Sequence, residues 1–377
     1  MTEWIECTLD KLGEIVGGAT PSTKCEDYYG GSIPWITPKD LSSFKGRYIT
    51  SGERNITEKG LASCSAQMMP KDAVLFTSRA PIGYVAIASQ SVCTNQGFKS
   101  IVVNDKADPL FVYYLLKYNK DAIEAMGSGT TFKEVSGKTM RAVKVRIPLD
   151  VSYQKRIAAV LDSLDTKIEN NERINDNLLE QASSIYQAWF EDFILSDGSC
   201  PPSWKQGTLA GIADITSGKR PPVKSAEKTD NAIIPIVGAA SVMGYTTEAN
   251  HTDKILVTGR VGTHGVVQRF NSPCWASDNT LVITSAFYEY TFQILQRIDY
   301  RTLNRGSTQP LITQGDMNKV PILIPDNETL LKFETLVGQL MKQYQVNLLE
   351  NDKLAELRDA LLPKLMSGEI DVSAVHF

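Results

Sequence analysis

The feature that most constrains this chain is a stripe of seam residues that occurs twice at one spacing. The first stripe runs Ile157, Leu161, Leu164, Ile168, Asn171, Asn175, Leu178, Ala182, Ile185 and Trp189. The second runs Phe333, Val337, Leu340, Tyr344, Asn347, Asn351, Leu354, Arg358, Leu361 and Leu365. Steps of four and three alternate throughout, which keeps each stripe on one face of a helix. Every member of the second lies 176 positions after its counterpart, and the polar pair Asn171 and Asn175 returns as Asn347 and Asn351. A seam asparagine costs stability unless it faces another polar group, so it fixes which residues pair. A surface helix with two solvated asparagines is an adequate account of one helix alone. It does not account for two helices that carry the pair at the same place. If the helices run antiparallel, Asn171 falls beside Asn351 and Asn175 beside Asn347, a central polar layer on a pseudo-twofold axis. Each rod is about 50 Å long at the α-helical rise.

The 377 residues suggest two domains. Hydrophobic content of 42% and charged content of 22% are ordinary for a globular protein. No apolar run approaches a membrane span of ~20 residues, and Met1-Thr2-Glu3-Trp4 has neither the basic nor the apolar part of an export signal. Cys7, Cys25, Cys64, Cys93, Cys200 and Cys274 are scattered without a CxxC pair, which points to a reducing cytoplasm and away from zinc. His251, His264 and His376 have no metal-ligand spacing. The net charge of −4 hides a division: residues 1–150 and 196–325 each carry +2, and residues 151–195 and 326–377 each carry −4. The rods are acidic and the blocks mildly basic, which is weak support for phosphate binding.

The repeat extends beyond the rods. Trp4, Thr8, Leu9, Leu12, Ile15 and Gly18 return 200 positions later as Trp204, Thr208, Leu209, Ile212, Ile215 and Gly218, read locally as a tryptophan anchor and a short amphipathic helical turn. In each block a strand then leads into a turn with an arginine: Val74 to Ser78 before Arg79, and Ile255 to Gly259 before Arg260. Thr94-Asn95-Gln96-Gly97 and Ser277-Asp278-Asn279-Thr280 precede the next apolar runs. Each block closes with a Gly/Ser/Thr loop, Gly127 to Thr131 or Arg305 to Gln309, and a short strand ending at Pro148 or Pro325. The expected layout is therefore a block over 1–150, a rod over 151–195, a block over 196–325 and a rod over 326–377. The last rod should kink or fray at Pro363 and end near Ser367-Gly368. The fold class expected is α+β: two pseudo-twofold-related globular domains separated by two long helices packed as an antiparallel coiled coil.

Motifs of known catalytic chemistry are missing. Ser136-Gly137-Lys138-Thr139 has the tail of a phosphate-binding loop, but Phe132 stands where its first glycine is required. There is no GxGxxG after a strand, no HExxH and no Asn/Asp-Pro-Pro-aromatic run of an amino-methyltransferase. No Ser/His/Asp or Cys/His constellation can be placed.

Several stretches in one order carry a resemblance. They are Trp4-x3-Thr8-Leu9, Val74 to Gly83, Tyr153-Gln154-Lys155-Arg156-Ile157-Ala158, the first rod with its asparagines, and above all Leu357-Arg358-Asp359-Ala360-Leu361-Leu362-Pro363-Lys364-Leu365-Met366-Ser367-Gly368-Glu369-Ile370. Over essentially its full length the chain resembles the specificity subunit of type I restriction–modification enzymes. The resemblance implies that each block is a target-recognition domain for one half of a bipartite double-stranded DNA site. It also implies that the rods are the central and distal conserved helices, a spacer whose length sets the gap between half-sites. Two modification (methyltransferase) subunits bringing S-adenosylmethionine, and motor/nuclease restriction subunits bringing ATP and Mg²⁺, are the implied partners, with no cofactor or metal in this chain. Arg358 and Ala182 depart from the pattern as poor seam residues, so the contact is expected to loosen there.

For DNA contact the first candidates are Arg79 and Arg260, taken as equivalent positions, because arginine suits bidentate contact to guanine or phosphate. Lys39, Lys138, Lys219 and Arg220 follow, with Thr130, Thr131, Ser307, Thr308 and Gln309 on the closing loops. Asn95, Gln96, Asp278 and Asn279 either read base edges or cap turns. Two other readings stand beside this one. A self-contained restriction or DNA methylation enzyme should be active without partners; a coiled-coil protein-interaction adaptor should show no DNA affinity.

Overall fold

A computed structural model describes residues 2–129, 133–303 and 311–375. Of the candidate residues, Thr130, Thr131, Ser307, Thr308 and Gln309 lie outside these. The chain forms two compact units, Met1–Arg173 with Leu348–Phe377, and Ile174–Asn347. Two long helices, Val151–Phe190 and Asn327–Ser367, each lend one half to each unit.

The first unit contains β1 (Trp4–Thr8), β2 (Gly13–Gly17), β3 (Tyr29–Ile36), β4 (Tyr48–Ile49), β5 (Asn55–Ile56), β6 (Val74–Ser78), β7 (Ile82–Ala88), β8 (Cys93–Thr94), β9 (Lys99–Val103) and β10 (Lys144–Pro148). They form a sheet of order β2-β9-β6-β7-β4, a smaller one of order β5-β3-β8, and a β1-β10 ribbon. The second unit contains β11 (Lys205–Thr208), β12 (Ala213–Ser217), β13 (Ile234–Val237), β14 (Val242–Thr246), β15 (Ile255–Gly259), β16 (Gln268–Phe270), β17 (Trp275–Ala276), β18 (Thr280–Ser285) and β19 (Pro321–Ile324). Its sheets run β12-β18-β15-β16 and β14-β13-β17, with a β11-β19 ribbon. The plan is the same twice. Even the parallel pairs β3-β8 and β13-β17 recur inside otherwise antiparallel sheets. Central strands β6 and β15 are buried along their whole length, as an uninterrupted apolar run predicts. The edge strand β2 instead exposes Glu14 and buries Ile15.

The stretch after Trp4 is not the isolated helical turn expected from its spacing. It is two strands, β1 and β2, joined by a 3₁₀ turn at Leu9–Lys11; Leu9 and Leu12 are both buried. The ladders also correct the equivalence of the arginine turns. Ile101 faces both Ile15 and Val74, and Ile283 faces both Ile215 and Leu256. Leu256 is thus the counterpart of Val74. Arg260 then occupies the position of Ser78, one residue before that of Arg79.

Within each unit the two long helices pair antiparallel. In the first, Asn171 Nδ2 donates to Asn351 Oδ1 at 2.8 Å and to Glu350 Oε2 at 2.7 Å. In the second, Asn347 Nδ2 donates to Asn175 Oδ1 at 2.9 Å, while Asn175 Nδ2 reaches the Tyr344 carbonyl at 3.3 Å. The pairing is the one the antiparallel register requires. The expected loosening is absent. Ala182 is fully buried. Arg358 Nη1 donates to Asp165 Oδ1 at 2.7 Å, and Asp165 Oδ2 accepts the Tyr114 hydroxyl at 2.7 Å. The poor seam residue is therefore one member of a half-buried polar network. The second helix also runs through Pro363 without fraying and ends at Ser367. Gly368 follows with φ of 78°. It lies so close to Trp4 that a Cβ on it would stand 2.8 Å from the indole, which explains the glycine at this C-cap. Arg146 Nη1 caps the Ser367 carbonyl at 3.0 Å.

Each block is clamped onto its helices by an arginine that the sequence does not single out. The buried Arg47 donates to Asp162 Oδ1, Thr166 Oγ1 and Glu169 Oε2 on the first long helix, at 2.5, 2.9 and 3.0 Å. Arg297 reaches Glu191 Oε1 at 2.8 Å and Ser183 Oγ at 3.0 Å. The cores are shared in the same way. Phe76, Phe111 and Tyr114 pack with Ile157, Leu161, Leu365 and Met366, and Trp204 and Tyr290 pack with Tyr186, Phe190 and Phe333.

Candidate nucleic-acid interface

In each unit one edge of the sheets gathers four loops, tied by backbone hydrogen bonds. In the first unit the Ala19 N–H donates to the Thr94 carbonyl at 3.0 Å and the Asn95 N–H to the Ile36 carbonyl at 2.9 Å. Ser78 N–H donates to Gly97 O at 2.7 Å, and Val135 N–H to Ser78 O at 3.0 Å. The second unit repeats each link: Lys219 to Ala276 at 2.9 Å, Ser277 to Val237 at 3.1 Å, Arg260 to Asn279 at 2.8 Å and Ile312 to Arg260 at 3.0 Å. The loops after β2, after the central strand of the small sheet, after β6 and before β9 are brought together, with the segment that closes the block.

Two details show why this knot needs its residues. A Cβ at Gly18 would stand 2.1 Å from the Asn95 carbonyl oxygen, and one at Gly218 would stand 2.1 Å from that of Ser277. Only glycine allows the approach. Next to each glycine one carbonyl receives an indole N–H: Trp35 Nε1 donates to Ala19 O at 3.0 Å, and Trp275 Nε1 to Lys219 O at 2.7 Å. The tryptophans come from opposite members of the parallel strand pair, so the bond recurs although the residue does not.

The knots collect many of the candidate side chains. Arg79 is 35% exposed and lies 3.5 Å from Glu134 Oε2, while Lys99 Nζ lies 3.5 Å from the other oxygen of that carboxylate. Sequence alone does not flag Lys99 or Arg141. Both lie near Gly137, where an added Cβ would meet Arg141 Nη2 at 3.7 Å and Lys99 Cδ at 3.8 Å. Lys138 is exposed in the first turn of Gly137–Ala142, and Ser136 Oγ accepts the Thr139 N–H there at 3.0 Å. This helix cap is the structural meaning of the motif that imitates a phosphate loop. Asn95 Oδ1 caps the Gly97 N–H at 2.8 Å, and Gln96 accepts from Thr20. Asp278 and Asn279 are exposed, and their side chains have no hydrogen-bond partner among the described residues. Lys219 and Arg220 are exposed beside them. Arg260 Nε is buried without a hydrogen-bond partner among the described residues. Lys39 instead reaches Glu53, 2.6 Å away, on an exposed surface.

Among the described residues no group of three or more His, Cys, Asp or Glu is arranged to hold a metal ion. No helix there is long and apolar enough to cross a membrane. The six cysteines are free thiols. Burial pushes the Cys93 and Cys274 thiols up to about 12 and about 11, which leaves both as unreactive thiols.

A doubled α+β block with paired loop knots on paired antiparallel helices defines a class. The profile of the type I restriction modification DNA specificity domain matches residues 1–180 and again 201–358, and the chain belongs to that family. It is 33% identical to the type I restriction enzyme MjaIX specificity subunit of Methanocaldococcus jannaschii, over 98% of this chain and 94% of that protein. A shorter match, 29% identical over 42% of this chain and 40% of the relative, joins it to the EcoR124I/EcoR124II specificity subunit of Escherichia coli. The crystal structure of a type I restriction–modification S subunit from M. genitalium shares the fold. Its TM-score is 0.61 at 18% identity, over 97% of this chain and 96% of that one.

Proposed function

We propose that this chain is the non-catalytic address-bearing subunit of a cytoplasmic type I restriction–modification complex. Each loop knot reads one half of a bipartite duplex DNA target. Two modification subunits bring S-adenosylmethionine, and motor/nuclease subunits bring ATP and Mg²⁺. The observation that carries this reading is the repetition of the knot. The same four backbone links hold an edge lined with Arg79, Lys99 and Lys138 in one unit, and with Arg260, Lys219 and Arg220 in the other. Guanidinium groups on rigid turns suit guanine edges and phosphates, and the flanking lysines add sequence-independent attraction that salt weakens.

The test is Arg260→Ala in the complete complex. One lost bidentate contact costs about 1–3 kcal/mol, so cognate binding in gel shift should fall by about fivefold to 150-fold at that half-site. Assembly with the modification subunits should be unchanged. Wild-type affinity and an unchanged methylated sequence would remove Arg260 from the interface.

A further inference from the structure

The second knot contains a surface that the arginine does not explain. After β13 the chain makes a tight hairpin, in which the Gly238 N–H donates to the Ser241 carbonyl at 2.8 Å, and returns as β14, the edge strand of its sheet. The hairpin places Ala240 in solvent, with Val242 43% and Met243 38% exposed. It is anchored to the arginine turn. A Cβ at Gly259, the residue before Arg260, would meet the Ala239 methyl at 3.0 Å, and one at Gly238 would meet Met243 Sδ at 3.1 Å. Gln268 Nε2 fixes the Gly238 carbonyl at 2.8 Å. The first unit has a polar device at this place. After β3 it forms the short helix Pro38–Ser42 with a Thr37/Asp40 capping box and the exposed Lys39.

We propose that the hairpin tip at Ala239–Met243 is a specificity-determining element that recognises the C5-methyl group of a thymine in the half-site read by the second unit. The inference rests on the DNA-reading function proposed above. Apolar side chains exposed together at a hairpin tip are a liability for a protein alone. Here the hairpin packs through Ala239 against Gly259, the residue before Arg260, and belongs to one knot with Lys219 and Arg220, cations that suit a polyanion. On duplex DNA the apolar group offered in the major groove is the thymine methyl, and apolar side chains read it there. The difference between hairpin and capped helix then gives one frame two different half-sites.

The test uses the complete complex and the target duplex defined by methylome sequencing of a host that expresses it. Each thymine of the half-site lost in Arg260→Ala is replaced in turn by deoxyuridine, which removes only the methyl group. At one thymine the wild-type complex should bind about fourfold more weakly, the value of one buried methyl. Val242→Ala/Met243→Ala should bind the two duplexes equally, and Lys39→Ala should keep the discrimination. Undiminished binding of every deoxyuridine duplex, or full discrimination by the double variant, overturns the hairpin assignment while the Arg260 result stands. A complex that shows no sequence-dependent binding overturns the underlying DNA-reading function as well.

Discussion

Glu334 shows how one side chain on a long helix organises a block. The helix Tyr288–Arg297 has no side-chain cap of its own. Instead Glu334 Oε2 accepts the Glu289 N–H at 3.1 Å and Oε1 accepts the Tyr290 N–H at 2.8 Å. Burial pushes the Glu334 carboxyl up to about 7; neighbouring Glu289 adds to the shift, and the two amides and Lys254 oppose it. Glu289 is itself raised by burial, although Arg269 Nη2 holds both of its oxygens at 2.7 Å. A carboxyl whose folded value lies above its ordinary one makes folding take up a proton. The stability that this carboxyl contributes is therefore fully present below its ordinary value of 4.5 and is lost as pH rises from there to about 7, up to about 3 kcal/mol in all. Glu334→Gln should flatten that slope in denaturant unfolding between pH 5.5 and 8. An equal slope in both proteins would place the titration elsewhere.

At the scale of elements the asparagine pairs decide how the helices meet. Asn347 bonds to Asn175 and also accepts from Gln343 Nε2 at 2.8 Å. Asn347→Leu leaves the buried Asn175 oxygen bare and should cost about 1–3 kcal/mol by chemical denaturation. Asn175→Leu/Asn347→Leu should recover that loss or exceed wild type, because an apolar pair needs no hydrogen bond. A double variant no more stable than the single one would show that the pair is not the source of the cost. These helices were legible in the sequence because a helical seam is a local, periodic signal. The strand equivalence was less so. Arg79 and Arg260 look alike as strand-exit arginines, but a ladder counts residues across strands, and only Ile101 and Ile283 reveal the one-residue offset. Arg47, Arg297 and Glu334 were not legible at all. Each acts on residues about 45 to 120 positions away, and no spacing within a segment announces such a partner.

For the whole molecule, duplication was the legible fact and target choice was not. Gly18 and Gly218 stood out as matched residues, and the structure gives their reason in two carbonyl oxygens that exclude a side chain. The loops that differ, a capped helix in one unit and an apolar hairpin in the other, carry no repeat by which sequence could weigh them. The two units also differ in how they are strung. The second is one unbroken stretch, Ile174–Asn347, whereas the first needs Leu348–Phe377 to join residues made long before, with Leu365 and Met366 inside its core. On the ribosome, then, the block translated first finishes last. Its earlier portion must wait, sticky and incomplete, until the stretch that carries Leu365 and Met366 has been made. Removal of residues 364–377 should leave hydrogen-exchange protection in the second unit while protease opens the first. Equal protection of both would mean that birth order and folding order coincide.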